Sequence, residues 1–151
     1  MPKLSNEPWL IMAGNVGEPV SFGFSHGYER RCVPILPGNR FHGRLSGTGL
    51  GGTDWQRIWP DGTTEIEAHY AARTDEGDLM EVVSKGIRSG PKDAMEALRL
   101  GQRVDPGLIY FRTMMQITSD SERLAEFTRR LFIGVGRREP TKVFMDVYAV
   151  E

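Results

Sequence analysis

The chain has 151 residues, a length typical of one domain, and its 19 Lys and Arg nearly balance its 20 Asp and Glu. Such a balance creates no long-range field toward nucleic acid or anionic membranes, so neither is an expected partner. The lone Cys32 excludes an internal disulfide, and the first residues, MPKLSNEPWLIM, are too short and polar for a secretory signal. We expect a cytoplasmic protein of one domain, without a membrane-spanning helix.

Alternation of apolar and polar residues dominates the chain and predicts β-strands, separated by turns rich in Gly and Pro. The predicted strands are Trp9 to Ala13, Arg30 to Leu36, Arg40 to Thr48, Thr63 to Arg73, Asp78 to Ser89, Leu108 to Ser119, Leu131 to Arg138 and Lys142 to Val150.

The first motif along the chain is Gly23-Phe24-Ser25-His26-Gly27, which matches the G-x-S-x-G pattern of a nucleophilic serine. That chemistry requires a strained turn from a strand into a helix. The residues that follow, Tyr28 to Pro34, indicate a strand instead. A hairpin turn is therefore favoured over a hydrolase site, and we expect Cys32 to be a small buried residue.

A second motif, Gly47-Thr48-Gly49-Leu50-Gly51-Gly52, matches the dinucleotide-binding pattern G-x-G-x-x-G. A helix must follow this pattern so that its amino terminus can bind pyrophosphate. Thr53 to Pro60 has aromatic and β-branched residues and a proline, which predict no helix. We interpret Gly47 to Gly62 as a wide turn between strands and expect no nucleotide cofactor.

Two helices interrupt the strands of the second half. One begins after Pro91 and ends at Gly101. The other follows a Ser119-x-x-Glu122 capping box and places Leu124, Phe127 and Leu131 on one stripe. About eight to ten mostly consecutive strands with two short helices predict a mainly β protein, a single antiparallel β-barrel, because closure removes exposed sheet edges.

Polar side chains form a stripe on one face of the strand from Thr63 to Arg73, where Glu65, Glu67, His69 and Arg73 alternate with apolar residues. Two further strands carry similar stripes, consisting of Arg40, His42, Arg44 and Ser46, and of Tyr110, Arg112, Met114 and Gln116. Two orientations are open: these stripes face solvent, or they line a barrel interior with room for one small ligand. The spacing of His and carboxylate residues, without a Cys cluster, predicts no metal site.

Several short stretches, in this order, resemble the uncharacterised protein family 0311, also called domain of unknown function 3237. They are Gly51-Gly52-Thr53-Asp54-Trp55, Asp61-Gly62, His69-Tyr70, Tyr110-Phe111-Arg112-Thr113 and Phe132-x-Gly134-x-Gly136-Arg137. The resemblance extends from about Trp9 to Tyr148. It implies a small antiparallel barrel similar to lipocalin-like or allene-oxide-cyclase-like barrels.

The resemblance also implies which residues recur at the site: Arg44, Asp54, Trp55, Tyr70, Arg88 and Arg112 match polar or aromatic positions of the family pattern. It implies that the connection after Gly47 delivers Asp54 and Trp55 to one mouth of the barrel. Thr128-Arg129-Arg130 departs from the pattern, which has an Asn near this position in many members. If that Asn lines the pocket of those members, a different ligand is expected here.

Three functional hypotheses fit these residues. In an enzyme, an isomerase, lyase or hydrolase of a small metabolite, Asp54 and Glu67 (or Glu65) would act as acid and base and His69 as proton-transfer partner. Arg44, Arg88 and Arg112 would bind the ligand, and Trp55, Tyr70 and Tyr110 would contact it. A carrier or sensor needs the same pocket, and an interaction module would use exposed residues such as Met114 or Met115. Homo-oligomer formation is compatible with each hypothesis.

Overall fold

The computed structural model describes residues 1–151, and its main feature is one antiparallel sheet of ten strands. The strands are β1 (Leu10–Asn15), β2 (Val20–Ser25), β3 (Tyr28–Ile35), β4 (Arg40–Gly43), β5 (Gly47–Ile58), β6 (Thr64–Thr74), β7 (Leu79–Ser89), β8 (Tyr110–Thr118), β9 (Phe132–Arg138) and β10 (Lys142–Ala149).

Eight of these strands close into a barrel in the order β5, β4, β1, β10, β9, β8, β7 and β6, because β6 also pairs with β5. The predicted antiparallel β-barrel is therefore confirmed. The hairpin of β2 and β3 lies beyond the ring, with β3 paired to β5 and β2 at the edge of the sheet. Its turn residues, His26 and Gly27, have positive φ values of 59° and 89°, as a two-residue hairpin turn requires.

Two helices pack against the strands, α1 (Lys92–Arg99) and α2 (Ala125–Thr128), together with single 3-10 turns at Pro106–Leu108 and Glu122–Leu124. Helix α1 buries Ala94, Met95 and Leu98. No helix is both long and apolar enough to span a bilayer.

The second helix is shorter than its stripe predicted. Leu124 and Phe127 are buried, but Leu131 is exposed because α2 ends at Thr128 and the chain turns into β9. The capping box also does not form, since the Ser119 hydroxyl accepts a hydrogen bond from the backbone N–H of Ser121.

The segment from Gly47 to Gly62 corrects one prediction: most of it is the strand β5, not a turn. Gly52 explains why glycine is needed there, because a Cβ at this position would clash with the carbonyl oxygen of His69 on β6. A register shift between Gly49 and Gly51 marks a β-bulge, and Gly51 has a φ of 92°. The glycines of the apparent nucleotide motif thus allow close strand pairing.

The predicted strand from Arg40 to Thr48 is interrupted. Strand β4 ends at Gly43, whose φ of 134° is unfavourable for other residues, and a Cβ there would clash with the carbonyl oxygen of Trp9. The chain turns at this point and enters β5 at Gly47. Cys32 is also only half-buried, because it alternates with the inward-facing Arg31 and Val33.

Aromatic side chains fill the end of the barrel that α2 covers. The ring centroids of Trp9 and Phe127 are 5.3 Å apart in an edge-to-face contact, and Phe127 stacks on Phe132 at 5.8 Å. Leu10, Met12 and other apolar residues complete this cluster. Because the packed core occupies one end, the rest of the interior is left for a cavity.

Candidate functional site

A cavity of about 100 Å³ lies inside the barrel. Its wall is mainly apolar and includes Met12, Val33, Ile66, Ala68 and Met145, from four different strands. Leu36 also lines the cavity and is solvent-exposed, so the cavity reaches the surface beside the turn between β3 and β4. A concave apolar wall with few polar groups is typical of small-molecule sites.

Besides Asn39 in the turn before β4, seven polar side chains interrupt this apolar wall: Asp54, Gln56, Tyr70, Ser84, Arg88, Thr113 and Arg138. They come from the consecutive neighbours β5, β6, β7 and β8 and from β9. Alternation along each strand turns them inward, whereas their sequence neighbours face outward.

Asp54 is held from one side only. Gln56, two residues along the same face of β5, donates from Nε2 to Asp54 Oδ2 at 2.8 Å. The Oε1 atom of Gln56 accepts from Arg31 Nε at 2.9 Å, and Arg31 Nη1 donates to the carbonyl oxygen of Arg99. Because the Nε of arginine only donates, this chain fixes the amide orientation of Gln56. Asp54 Oδ1 is buried and has no hydrogen-bond partner.

The pKa of Asp54 is raised, chiefly because burial disfavours the charged carboxylate. The hydrogen bond from Gln56 and the positive charges of Arg88, Arg138 and Arg31 oppose this shift without cancelling it. A carboxyl group with a raised pKa and a free oxygen is suited both to take a proton from a ligand and to give one to it.

Two arginines face the same cavity as Asp54. Arg88 is buried, and desolvation lowers its pKa to about 10. Arg138 donates from Nη1 to the backbone oxygens of Glu139 and Lys142, and burial also lowers its pKa. Neither arginine forms an ion pair with Asp54, so the wall keeps positive charge available to a ligand.

Tyr70 places a hydroxyl group in the cavity. Its contact with the protein is weak, since the hydroxyl lies 3.9 Å from the Met12 sulfur. Desolvation first, and the negative charge of Asp54 second, raise the pKa of Tyr70, which therefore stays protonated and can donate to a ligand.

The ring of Phe111 forms part of the cavity wall because two glycines of β9 leave space for it. A Cβ at Gly136 would lie 2.7 Å from the Phe111 ring, and one at Gly134 would lie 2.5 Å from Thr113 Oγ1. The Gly134-x-Gly136 pair of the sequence therefore shapes this wall.

Three of the sequence-predicted site residues meet at the cavity: Asp54, Tyr70 and Arg88. Glu67 and His69 do not, because the polar face of β6 is the solvated one. Glu67 lies 3.5 Å from Lys85 Nζ, and His69 Nε2 lies 2.7 Å from Glu81 Oε2, both at the outer surface. The interior orientation considered for this stripe is wrong, since Ile66, Ala68 and Ala72 occupy the inward positions.

The remaining predicted ligand-binding residues also lie outside the cavity. Trp55 stacks on Phe22 at 5.7 Å, on the outer face of β5. It cannot accompany Asp54 to one mouth, because adjacent strand residues point in opposite directions. Arg44 covers the ring of Trp9 at 3.6 Å, whereas Tyr110 and Arg112 line a shallow outer groove with Met114. Met115, by contrast, is fully buried.

Sequence reasoning missed Gln56, Arg31 and Arg138. Applying strand alternation through β5 would have placed Gln56 with Asp54, but the glycines favoured a turn. On β3, Glu29, Arg31 and Val33 share one face, and the apolar Val33 was a signal that this face is buried. No group of three His, Cys, Asp or Glu side chains is arranged to bind a metal.

Comparison with known proteins identifies relatives over the whole barrel. The family model described as "Protein of unknown function (DUF3237)" matches residues 5–150. The chain belongs to the DUF3237 family. A curated relative of this DUF3237 chain, "UPF0311 protein" from Rhodopseudomonas palustris strain TIE-1, is 35% identical over 99% of this chain and 98% of its own.

Solved structures share the DUF3237 barrel. A conserved protein of unknown function from Rhodopseudomonas palustris is 33% identical, with a TM-score of 0.90 over 100% of this chain and 99% of its own. A beta-barrel like protein from Acinetobacter baumannii AYE is 28% identical, with a TM-score of 0.85 over 100% and 97%. An enzyme from Penicillium herquei is 18% identical, with a TM-score of 0.72 over 99% and 95%, and shows likeness of fold alone.

Proposed function

We propose that the barrel cavity binds a small, partly aromatic or carbonyl-bearing metabolite and that Asp54 transfers a proton to or from it, in an isomerase, lyase or hydrolase reaction. The observation that carries this proposal is the buried Oδ1 of Asp54, which belongs to a residue of the cavity wall and has no partner in the protein. A polar atom left unpaired in an apolar wall is costly, and a functional role is a common reason for it.

The hydrogen-bond chain behind Asp54 supports an acid–base role. Gln56 is only 1% exposed, and it holds Oδ2 while Oδ1 stays free. A general base must keep a fixed position relative to the reacting proton, and the hydrogen bond from Gln56 fixes the position of the Asp54 carboxyl group. Tyr70 can donate from its protonated hydroxyl to a carbonyl or enolate oxygen of the ligand, which is where negative charge develops in proton abstraction next to a carbonyl.

The experiment compares wild type with Asp54→Asn on a panel of hydroxycinnamate-like and lactone compounds. Turnover is followed by absorbance and mass spectrometry, and binding by thermal shift. We expect Asp54→Asn to lose at least about 100-fold in kcat, since general acid–base groups contribute about that much, while binding is retained. The matched control is Glu67→Gln, the same change at an exposed position of the next strand, which should keep the wild-type rate.

Two results would contradict the proposal. Turnover that survives unchanged in Asp54→Asn would remove Asp54 from the chemistry. Binding by the wild type without conversion of any bound compound would assign the cavity to a carrier or sensor.

A further inference from the structure

Arg88 is a buried guanidinium group for which the protein supplies no hydrogen-bond partner. The residue is 4% exposed, and its Nε is buried without a partner. The guanidinium group lies over the ring of Phe111, with 5.4 Å between its carbon and the ring centroid. A buried charge of this kind is costly unless it is paired. Since Arg88 lines the cavity, the missing partner would belong to whatever occupies the cavity.

The charges of the cavity wall do not cancel. Arg88 and Arg138 line it together with one carboxyl group, Asp54, whose own ionised form is disfavoured by burial. Arg31 adds a third positive charge behind Gln56, but its hydrogen bonds to Gln56 and to the Arg99 carbonyl already occupy it. An excess of positive charge in an enclosed, low-dielectric wall attracts an anion.

The size of the cavity limits the anion. A volume of about 100 Å³ holds roughly seven to ten water-sized groups, so a ligand of about ten non-hydrogen atoms fills it. Phe111, Ile66 and Ala68 provide an apolar surface for the body of such a ligand. A large anion such as a nucleotide does not fit this volume.

We propose that the cavity binds a small aromatic or apolar carboxylate and that Arg88 is the side chain that binds its carboxylate group, with Arg138 as the second cation. This inference rests on the proposed function in that it takes the same cavity as the ligand site, and it adds the charge and size of the ligand. The guanidinium group suits the role because its planar fork donates two parallel hydrogen bonds to a carboxylate.

The test uses isothermal titration calorimetry with benzoate and with benzamide, a neutral compound of similar size and shape. Benzoate should bind wild type at least about tenfold more tightly, the effect of a charge-assisted hydrogen bond. Arg88→Met, which keeps the length of the side chain but removes the charge, should lose this preference. The matched control, Arg112→Met on the outer groove, should retain it. Circular dichroism melts of both variants confirm that they are folded.

Equal affinities for benzoate and benzamide, no binding of either compound, or an unchanged preference in Arg88→Met would overturn the inference. Arg88→Lys provides a second variant, which should recover part of the preference because it restores the charge without the fork. Asp54→Asn should bind benzoate more tightly than wild type, since it removes the one negative group of the wall.

The two proposals fail separately. A lost benzoate preference with an Asp54-dependent turnover rejects the carboxylate and keeps the proton transfer. A benzoate preference that depends on Arg88, together with turnover that is unchanged in Asp54→Asn, keeps the carboxylate ligand and rejects the proton transfer by Asp54.

Discussion

Asp54 and Arg88 are opposite charges in one cavity wall, yet no ion pair joins them, and each has a buried polar atom without a partner. Such an arrangement costs folding free energy, because both charges lose water and neither gains a full partner. Stability lost at a site of this kind is commonly the consequence of keeping groups free for a ligand. The cost at Asp54 depends on pH, which makes it measurable.

The raised pKa of Asp54 predicts how stability changes with pH. A carboxyl group with a higher pKa in the folded state binds more protons folded than unfolded. Its contribution is therefore complete below the unfolded pKa of about 4 and is lost as pH rises through the folded pKa. We expect Asp54→Asn to remove this loss of stability at higher pH, since asparagine can still accept a hydrogen bond from Gln56 and never ionises. The variant should be more stable than wild type at pH 7.

Urea denaturation of both proteins between pH 4 and pH 8 measures this effect. The difference in unfolding free energy between the two proteins isolates the contribution of Asp54. Asp78 cancels in this difference. Its pKa is lowered to about 2 by the hydrogen bond from Arg123, so its contribution to stability has the opposite pH dependence. A difference that stays constant across this range would show that the pKa of Asp54 is not raised.

Strand β9 shows how an element's backbone shapes the cavity, because Gly134 and Gly136 leave two of its inward positions without side chains. Phe111 and Thr113 of β8 occupy the space. Alternation along the strand, which can be read from the sequence, accounts for the inward direction of these positions. The close contacts depend on how β8 and β9 pair. Gly49 of β5 offers a contrast, since a Cβ there would meet only an ordinary contact at 3.6 Å.

We expect Gly136→Ala to destabilise the barrel by about 1–3 kcal/mol, because the new methyl group overlaps the Phe111 ring and forces it to move. Gly49→Ala is the matched control, because Gly49 also lies in a strand and does not have a positive φ. It should be neutral or stabilise by up to about 1 kcal/mol, since alanine restricts the unfolded chain. Urea denaturation at one pH measures both, and equal effects of the two substitutions would contradict this account of β9.

Much of the barrel was predictable from the sequence because alternation with period two identifies a strand wherever one face is buried. On β8, alternation separated the stripe of Tyr110, Arg112, Met114 and Gln116, which is exposed, from the residues between them, which are buried. It could not decide which face of β6 turns inward, because alanines and a tyrosine suit either environment. Strand β5 was missed because its glycines are required by close contacts with the paired residues of β6, which the residues of β5 alone do not reveal.

At the scale of the whole molecule, the barrel separates two sets of charges. Outward-facing residues form ion pairs at the surface, such as Arg40 with Asp75 and Lys85 with Glu67. Pairs of this kind contribute little to stability because water screens them. Asp54, Arg88 and Arg138 instead face the interior, where the same charges interact strongly with one another and with a ligand.

Closure also makes stability uneven, since the hairpin of β2 and β3 lies outside the ring. All six residues of β2 are exposed and one of its edges is unpaired, whereas β8 pairs on both sides and buries Met115 and Ile117. Backbone amides of β2 should therefore exchange with deuterium about 100-fold faster or more than those of β8, because local opening of an edge costs less than opening the barrel.

Hydrogen exchange followed by NMR at two protein concentrations tests this difference. Rates in β2 that match those of β8 at low concentration would show that the hairpin opens only with the barrel. Protection of β2 that appears only at high concentration would show a second chain paired to its edge, as exposed edges favour. We expect fast exchange in β2 at both concentrations. The register shift between Ser21 and Phe24 and the positive φ of Gly23 make this edge irregular and unsuited to pairing with a second chain.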